Sequence, residues 1–384
     1  MKVKWSSHPT ARCSRSVSDL SPLIFIFIFF HALSLHSISS RWTFYFIMQE
    51  SWTRLLSFAL LVVFALPVES APKKKDNAAT SSNGAAGGAA AGALAATTVT
   101  RATDGSMILD KTVQINGLAI RYKISGPAAQ FTAASGVPGG TATGNGTMGL
   151  NVLLHGDGGQ SFTDFPNQAV QDNLMGVVVL APNKEKFWGG GSGLQRTDGV
   201  AHAAAVNSLI QNQMAQDVAF DSGNVYFTGV SGGSLLMSGF FVPAYGAQYK
   251  TGVVLNCGAM PPQVDVVDSA NLVANMKIHF QSTKDELQLL QGSIPQSITA
   301  YEKLATDAGL SADQIGALQT VDNTPNGGGH CAFDGKGFSS GIQLVANSYS
   351  KIVGTNATGV VAGISNNVLT TVVGNEKVVF TSAT

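Results

Sequence analysis

The chain has 384 residues, 45% of them hydrophobic and 12% charged, enough for one large domain with a sizeable core or two small ones. Basic and acidic side chains number 23 each, so no positive surplus points to nucleic acid as a partner. The balance is uneven, with six basic and three acidic groups in the first 71 residues and a mildly acidic remainder.

Two apolar runs come first, Leu23 to Leu35 and Leu55 to Leu66, each short of the ~20 residues a membrane span needs. The second follows Met48 and Arg54 and leads into PVESAP, whose small residues suit cleavage after Ser70 or Ala71. This is the layout of a secretory signal over residues 48–71. It makes Met48 the expected start and residues 1–47 an upstream extension; the rival reading is a signal anchor or membrane hairpin built from both runs. Of three cysteines, Cys13 falls in that extension, leaving Cys257 and Cys331 as an even pair for an oxidising compartment. Asn145 (NGT) and Asn356 (NAT) are glycosylation acceptors in an exported chain. Residues 72–105, rich in Ala, Gly, Ser and Thr, read as a flexible linker that cannot bury enough apolar surface to order itself.

From about residue 106 the pattern is that of a folded domain. KTVQINGLAIRYKISG places two β-rich arms around Asn116-Gly117, a pair suited to a tight hairpin turn. LNVLLHGDGG and MGVVVLAPN are short apolar runs that end in polar loops, as buried strands do. Residues 199–218 carry Ala205, Leu209, Ile210 and Met214 at helical spacing. NVYFTGV, TGVVLNCG and MKIHFQST then read as three more strands. Strand and helix alternate, which predicts an α/β domain over residues 106–384 with a doubly wound, mostly parallel sheet. The segment 354–384, with LTTVVGNEKVVF, reads as a further hairpin; its length and charges argue against a lipid-anchor signal.

The spacing G-x-S-x-G occurs twice, around Ser231 and around Ser339. A nucleophile elbow needs a buried strand running into the serine and a helix leaving it. NVYFTGV and GGSLLMSGFFV supply both for Ser231, whereas the polar HCAFDGKG precedes Ser339, which reads as a helix-start serine. A serine also needs a base, an acid to orient that base, and donors for an oxyanion. The loop HGDGG (155–159) offers N–H groups at Asp157 or Gly158, and Gly232 offers a second donor. The loop after MKIHFQS carries Asp285, favoured by the Ser282-Thr283-x-Asp turn, with Glu286 in reserve. His330 is the one histidine beyond them. Trp188, amid glycines, is either a platform for substrate or a loop anchor. Asp198 is expected to cap the helix that follows it.

The order Ser231, Asp285, His330 is that of the α/β-hydrolases. From about Val113 to Ile352 the chain resembles that fold; LLHGDGG, VVLAPN, FWGGG, TDGVAHAAAVNSLI, VYFTGVSGG and GGGH together resemble the secreted polyhydroxyalkanoate depolymerase and feruloyl or acetylxylan esterase group. The resemblance implies carboxylic-ester hydrolysis through an acyl-enzyme, with Ser231 as nucleophile, His330 as base and Asp285 as acid. It implies neither an organic cofactor nor a metal. The expected substrate is a small or polymeric ester, and the mature chain is expected to be a monomer without a membrane span. In this layout Cys257 and Cys331 lie near one rim of the sheet and are expected to form a disulfide. A serine peptidase of the same fold, and a non-catalytic wall-associated binding protein that keeps the shell, stay open as alternatives.

Overall fold

The computed structural model describes residues 97–325, 327–354, 356–361 and 378–381. The readings of residues 1–96, and most of the hairpin reading of 354–384, fall outside these residues.

Asn116 and Gly117 both take positive φ, 52° and 80°, which a two-residue turn needs if it is to match the twist of its strands. They join β2 (Met107–Ile115) to β3 (Leu118–Gly126) in an antiparallel hairpin. Beyond it the runs of β-branched residues form β4 (Gly149–Leu154), β6 (Leu174–Leu180), β7 (Val225–Val230), β8 (Gly252–Asn256), β9 (Lys277–Gln281) and β10 (Gln319–Asp322). With β1 (Thr98–Arg101) at the edge, the sheet order is β1-β2-β3-β6-β4-β7-β8-β9-β10, parallel from β6 onward, with the short β5 (Val170–Gln171) paired antiparallel to β6. An antiparallel hairpin followed by six parallel strands, with β4 and β6 exchanged, is the α/β-hydrolase sheet.

Sequence and structure part at the start of the domain. β1 (Thr98–Arg101) pairs with β2, from Thr98 opposite Asp110 to Arg101 opposite Met107, so the fold begins inside the stretch read as linker. The strand is mostly exposed and gains its order from the ladder to β2, not from burial.

Alternate residues of the central strands feed two apolar layers. Leu150, Val152, Leu154, Val177, Val179, Val253 and Leu255 enter the larger one, while Leu153, Val178, Val230 and Val254 face the other. Helices cover both: α1 (Gln160–Asp164), α2 (Gly199–Ser208), α3 (Met214–Asp217), α4 (Gly232–Leu236), α5 (Val242–Tyr245), α6 (Ser269–Asn275), α7 (Gln288–Asp307), α8 (Ala312–Leu318), α9 (Phe338–Asn347) and α10 (Tyr349–Val353). The helix expected over 199–218 is present as α2 and α3 joined by a wider turn at Leu209–Gln213. Among the described residues no helix is long and apolar enough to cross a membrane.

β6, which follows β4 by a crossover, lies on one side of it and β7 on the other. The crevice at the carboxyl ends of β4 and β7 is therefore the point where the sheet winds in opposite directions, and loops diverge there to leave room for a ligand.

Candidate active site

Ser231 stands at the end of β7 with φ 49° and ψ −113°, and α4 starts at the next residue. Such a backbone is costly for a residue with a Cβ. Its surroundings hold it there: Ser231 N–H donates to the Asn256 carbonyl at 2.9 Å, and Leu235 N–H donates to the Ser231 carbonyl at 3.0 Å. The glycines of the motif are needed for close approach. A Cβ at Gly229 would lie 2.6 Å from Ser234 Cα, and one at Gly233 would lie 2.1 Å from the Leu154 carbonyl oxygen. Ser339 sits in the first turn of α9 and is exposed, donating to Asp164 Oδ2 at 2.7 Å and accepting from Gln160 Nε2 at 2.8 Å.

His330 Nε2 lies 2.9 Å from Ser231 Oγ, and His330 Nδ1 meets Glu286 Oε1. The carboxylate that meets His330 is thus Glu286, the reserve candidate, and not Asp285. The Glu286 side chain is fully buried and also accepts the Leu287 N–H at 2.9 Å. Asp285, one residue earlier in the turn after β9, is engaged elsewhere and accepts the Gly327 N–H at 2.6 Å, tying down the glycine run before His330. That bond is the first cause of an Asp285 carboxyl held below its usual range. Thr283 Oγ1 donates to the Gly329 carbonyl at 3.2 Å in the same loop. Cys257, just past β8, and Cys331, next to His330, are joined by a disulfide with Cα atoms 5.1 Å apart. Their sulfurs and the His330 imidazole form the one cluster of metal-ligand type among the described residues, and the sulfur–sulfur bond already occupies both sulfurs.

The HGDGG loop leaves β4 and stands over Ser231: a Cβ at Gly156 would lie 3.4 Å from Ser231 Cβ. Gly158 corrects the sequence reading, because its N–H donates to the Lys186 carbonyl at 3.1 Å and is not free. Asp157 N–H has no such partner among the described residues. Gly232 N–H, first in α4, has no carbonyl within its helix to reach. The Asp157 carboxylate is engaged separately by Arg196, which sequence reasoning missed. Trp188 is a loop anchor, not a substrate platform: it is 0% exposed and packs between His155 and His202. Asp198 occupies the N-cap of α2 but makes no side-chain capping bond.

His155 is structural. Its Nε2 accepts the Ala181 N–H at 2.9 Å, so Nδ1 carries the proton and donates to the Gly156 carbonyl at 2.6 Å. Burial pushes its pKa down to about 4, and lowers those of His202 and His279 too. A histidine depressed from ~6.5 contributes stability above that pH and loses it as the pH falls toward the folded value. His155 alone is expected to cost about 2 kcal/mol between pH 7 and pH 5. Urea melts at the two pH values check this, with the difference shrinking in His155→Gln.

No family model matches the sequence, and no curated protein matches it. Solved structures similar to it include an acetyl xylan esterase from Aspergillus awamori, at 12% identity over 56% of this chain and 86% of that one, with a TM-score of 0.35. A ferulic acid esterase matches at 12% identity over 63% and 96%, TM-score 0.35. A cold-adapted esterase from an Arctic intertidal metagenomic library matches at 12% identity over 60% and 89%, TM-score 0.37. Such distant likenesses assign no activity.

Proposed function

We propose that the protein is an exported serine hydrolase of carboxylic esters. The carrying observation is the hydrogen-bonded series Ser231 Oγ, His330, Glu286 at the switch point of the sheet. Ser231 Oγ attacks the ester carbonyl while His330 Nε2 takes its proton, and Glu286 keeps the imidazole proton on Nδ1 and stabilises the imidazolium. The negative oxygen is received by the N–H groups of Gly232 and Asp157, each such donor being worth roughly 3 kcal/mol. His330 returns the proton to the departing alcohol, and water, activated by the same imidazole, releases the acid from Ser231.

Turnover of short p-nitrophenyl esters tests the reading. Ser231→Ala is expected to abolish it and Ser339→Ala to leave it within about twofold, since Ser339 touches only surface groups. Equal loss in both variants, or an inactive wild type, overturns it. Export is supported by the signal-like segment 48–71, the Cys257–Cys331 disulfide and the exposure of Asn145 and Asn356. N-terminal sequencing of protein from the medium is expected to find the mature end within roughly residues 68–76.

A further inference from the structure

We infer that Arg196 is a positioning residue for ester hydrolysis, holding Asp157 so that its backbone N–H faces the oxyanion while its carboxylate cannot oppose it. The inference rests on the reading of Ser231, His330 and Glu286 given above.

Asp157 is an awkward residue for its place. A Cβ on Gly232 would lie 2.0 Å from Asp157 Oδ1, so the carboxylate touches the residue that supplies the other oxyanion donor. A bare negative charge there would raise the energy of the transition state, because charges inside a cleft are poorly screened. Arg196 answers it directly. Its Nη1 donates to Asp157 Oδ1 at 2.8 Å and its Nη2 to Oδ2 at 2.7 Å, a two-pronged pairing that cancels the charge and fixes the plane of the carboxylate.

The support behind Arg196 is rigid. Its side chain is 1% exposed, and Nη1 also donates to the Trp188 carbonyl at 3.0 Å. Trp188 is sunk in the core. The turn between them folds tightly through Gly189, Gly190, Gly191 and Gly193, all at positive φ, and Asp198 N–H closes it on the Gly189 carbonyl at 2.7 Å. A continuous series of contacts thus runs from the core through Trp188 and Arg196 to the Asp157 loop above Ser231.

Steady-state kinetics on a p-nitrophenyl ester, with phenylboronic acid as a probe that forms a tetrahedral anion on the serine, test this. Arg196→Gln is expected to lower kcat about 100-fold with KM nearly unchanged, and to weaken boronate binding in proportion. The double variant Asp157→Asn/Arg196→Gln is expected to regain at least about tenfold in kcat over Arg196→Gln, because the uncompensated carboxylate is gone. A merely structural ion pair predicts recovery of the melting temperature with no change in kcat per folded molecule. The inference is overturned if the double variant is no faster than the single one, or if the loss falls on KM. Should Arg196→Gln not fold, Arg196→Lys keeps the charge without the fork; a kcat loss of about tenfold is expected, and a change confined to KM or the melting temperature overturns the inference. Turnover abolished by Ser231→Ala in otherwise wild-type protein separates failure here from failure of the esterase reading.

Discussion

Glu286→Gln is expected to lower kcat by on the order of 10⁴-fold, the loss seen when an amide replaces the acid of a serine triad. An amide can turn its N–H toward Nδ1, and the imidazole then carries its proton on Nε2, where it cannot accept one from Ser231. No group among the described residues stands ready to replace Glu286, since the neighbouring carboxylate is engaged with Gly327 N–H on the other side of the loop. Asp285→Asn should therefore cost less than about tenfold, through a looser histidine loop. Both effects are read from kcat and KM on the same p-nitrophenyl ester. A reversed order, with Asp285→Asn the more damaging, would remove Glu286 from the mechanism.

Replacing both Cys257 and Cys331 by Ala carries the second large effect. The bridge joins positions 74 residues apart, and freeing that loop in the unfolded chain is worth about 4 kcal/mol in the chain-entropy account. A fall in melting temperature on the order of 10 °C should follow for a domain of this size. Activity should fall as well, because Cys331 is the residue after His330 and the bridge fastens it to the end of β8. Differential scanning calorimetry with parallel ester assays measures both. An unchanged melting curve, or native protein whose two thiols alkylate without reductant, would contradict the argument.

The central strands and the Ser231 elbow were legible because burial on both faces leaves unbroken apolar runs, and the tight turn after β7 demands small residues at fixed places. His330 was legible by position. The acid was not. Asp285 and Glu286 are adjacent, and which of two neighbouring carboxylates a turn presents to the site is set by its tertiary bonds, Asp285 to Gly327 N–H and Glu286 to His330; the extra methylene of Glu286 leaves no trace in spacing. Trp188 stayed open between platform and anchor for a related reason: flanking glycines look like an exposed loop, yet here they let the chain fold tightly around a buried ring. The Arg196–Asp157 pair joins residues 39 apart in different loops, and charge alone does not announce such a partnership. β1 was lost because its residues are mostly exposed, so no apolar pattern marks it.

The placement of Ser231, Glu286 and His330 on three separate connections of the sheet also bears on how the molecule comes to life. Ser231 and His330 are 99 residues apart, Glu286 and His330 are 44 apart, and the loop above them leaves a strand laid down still earlier. Contacts this distant in sequence are expected to form late, because the loop-closure entropy is lost before they are made. No shorter fragment ending before His330 holds the proposed set, so ester hydrolysis is expected to start only when the chain has closed on itself. Ester turnover in a refolding experiment is accordingly a clock for the last step of assembly.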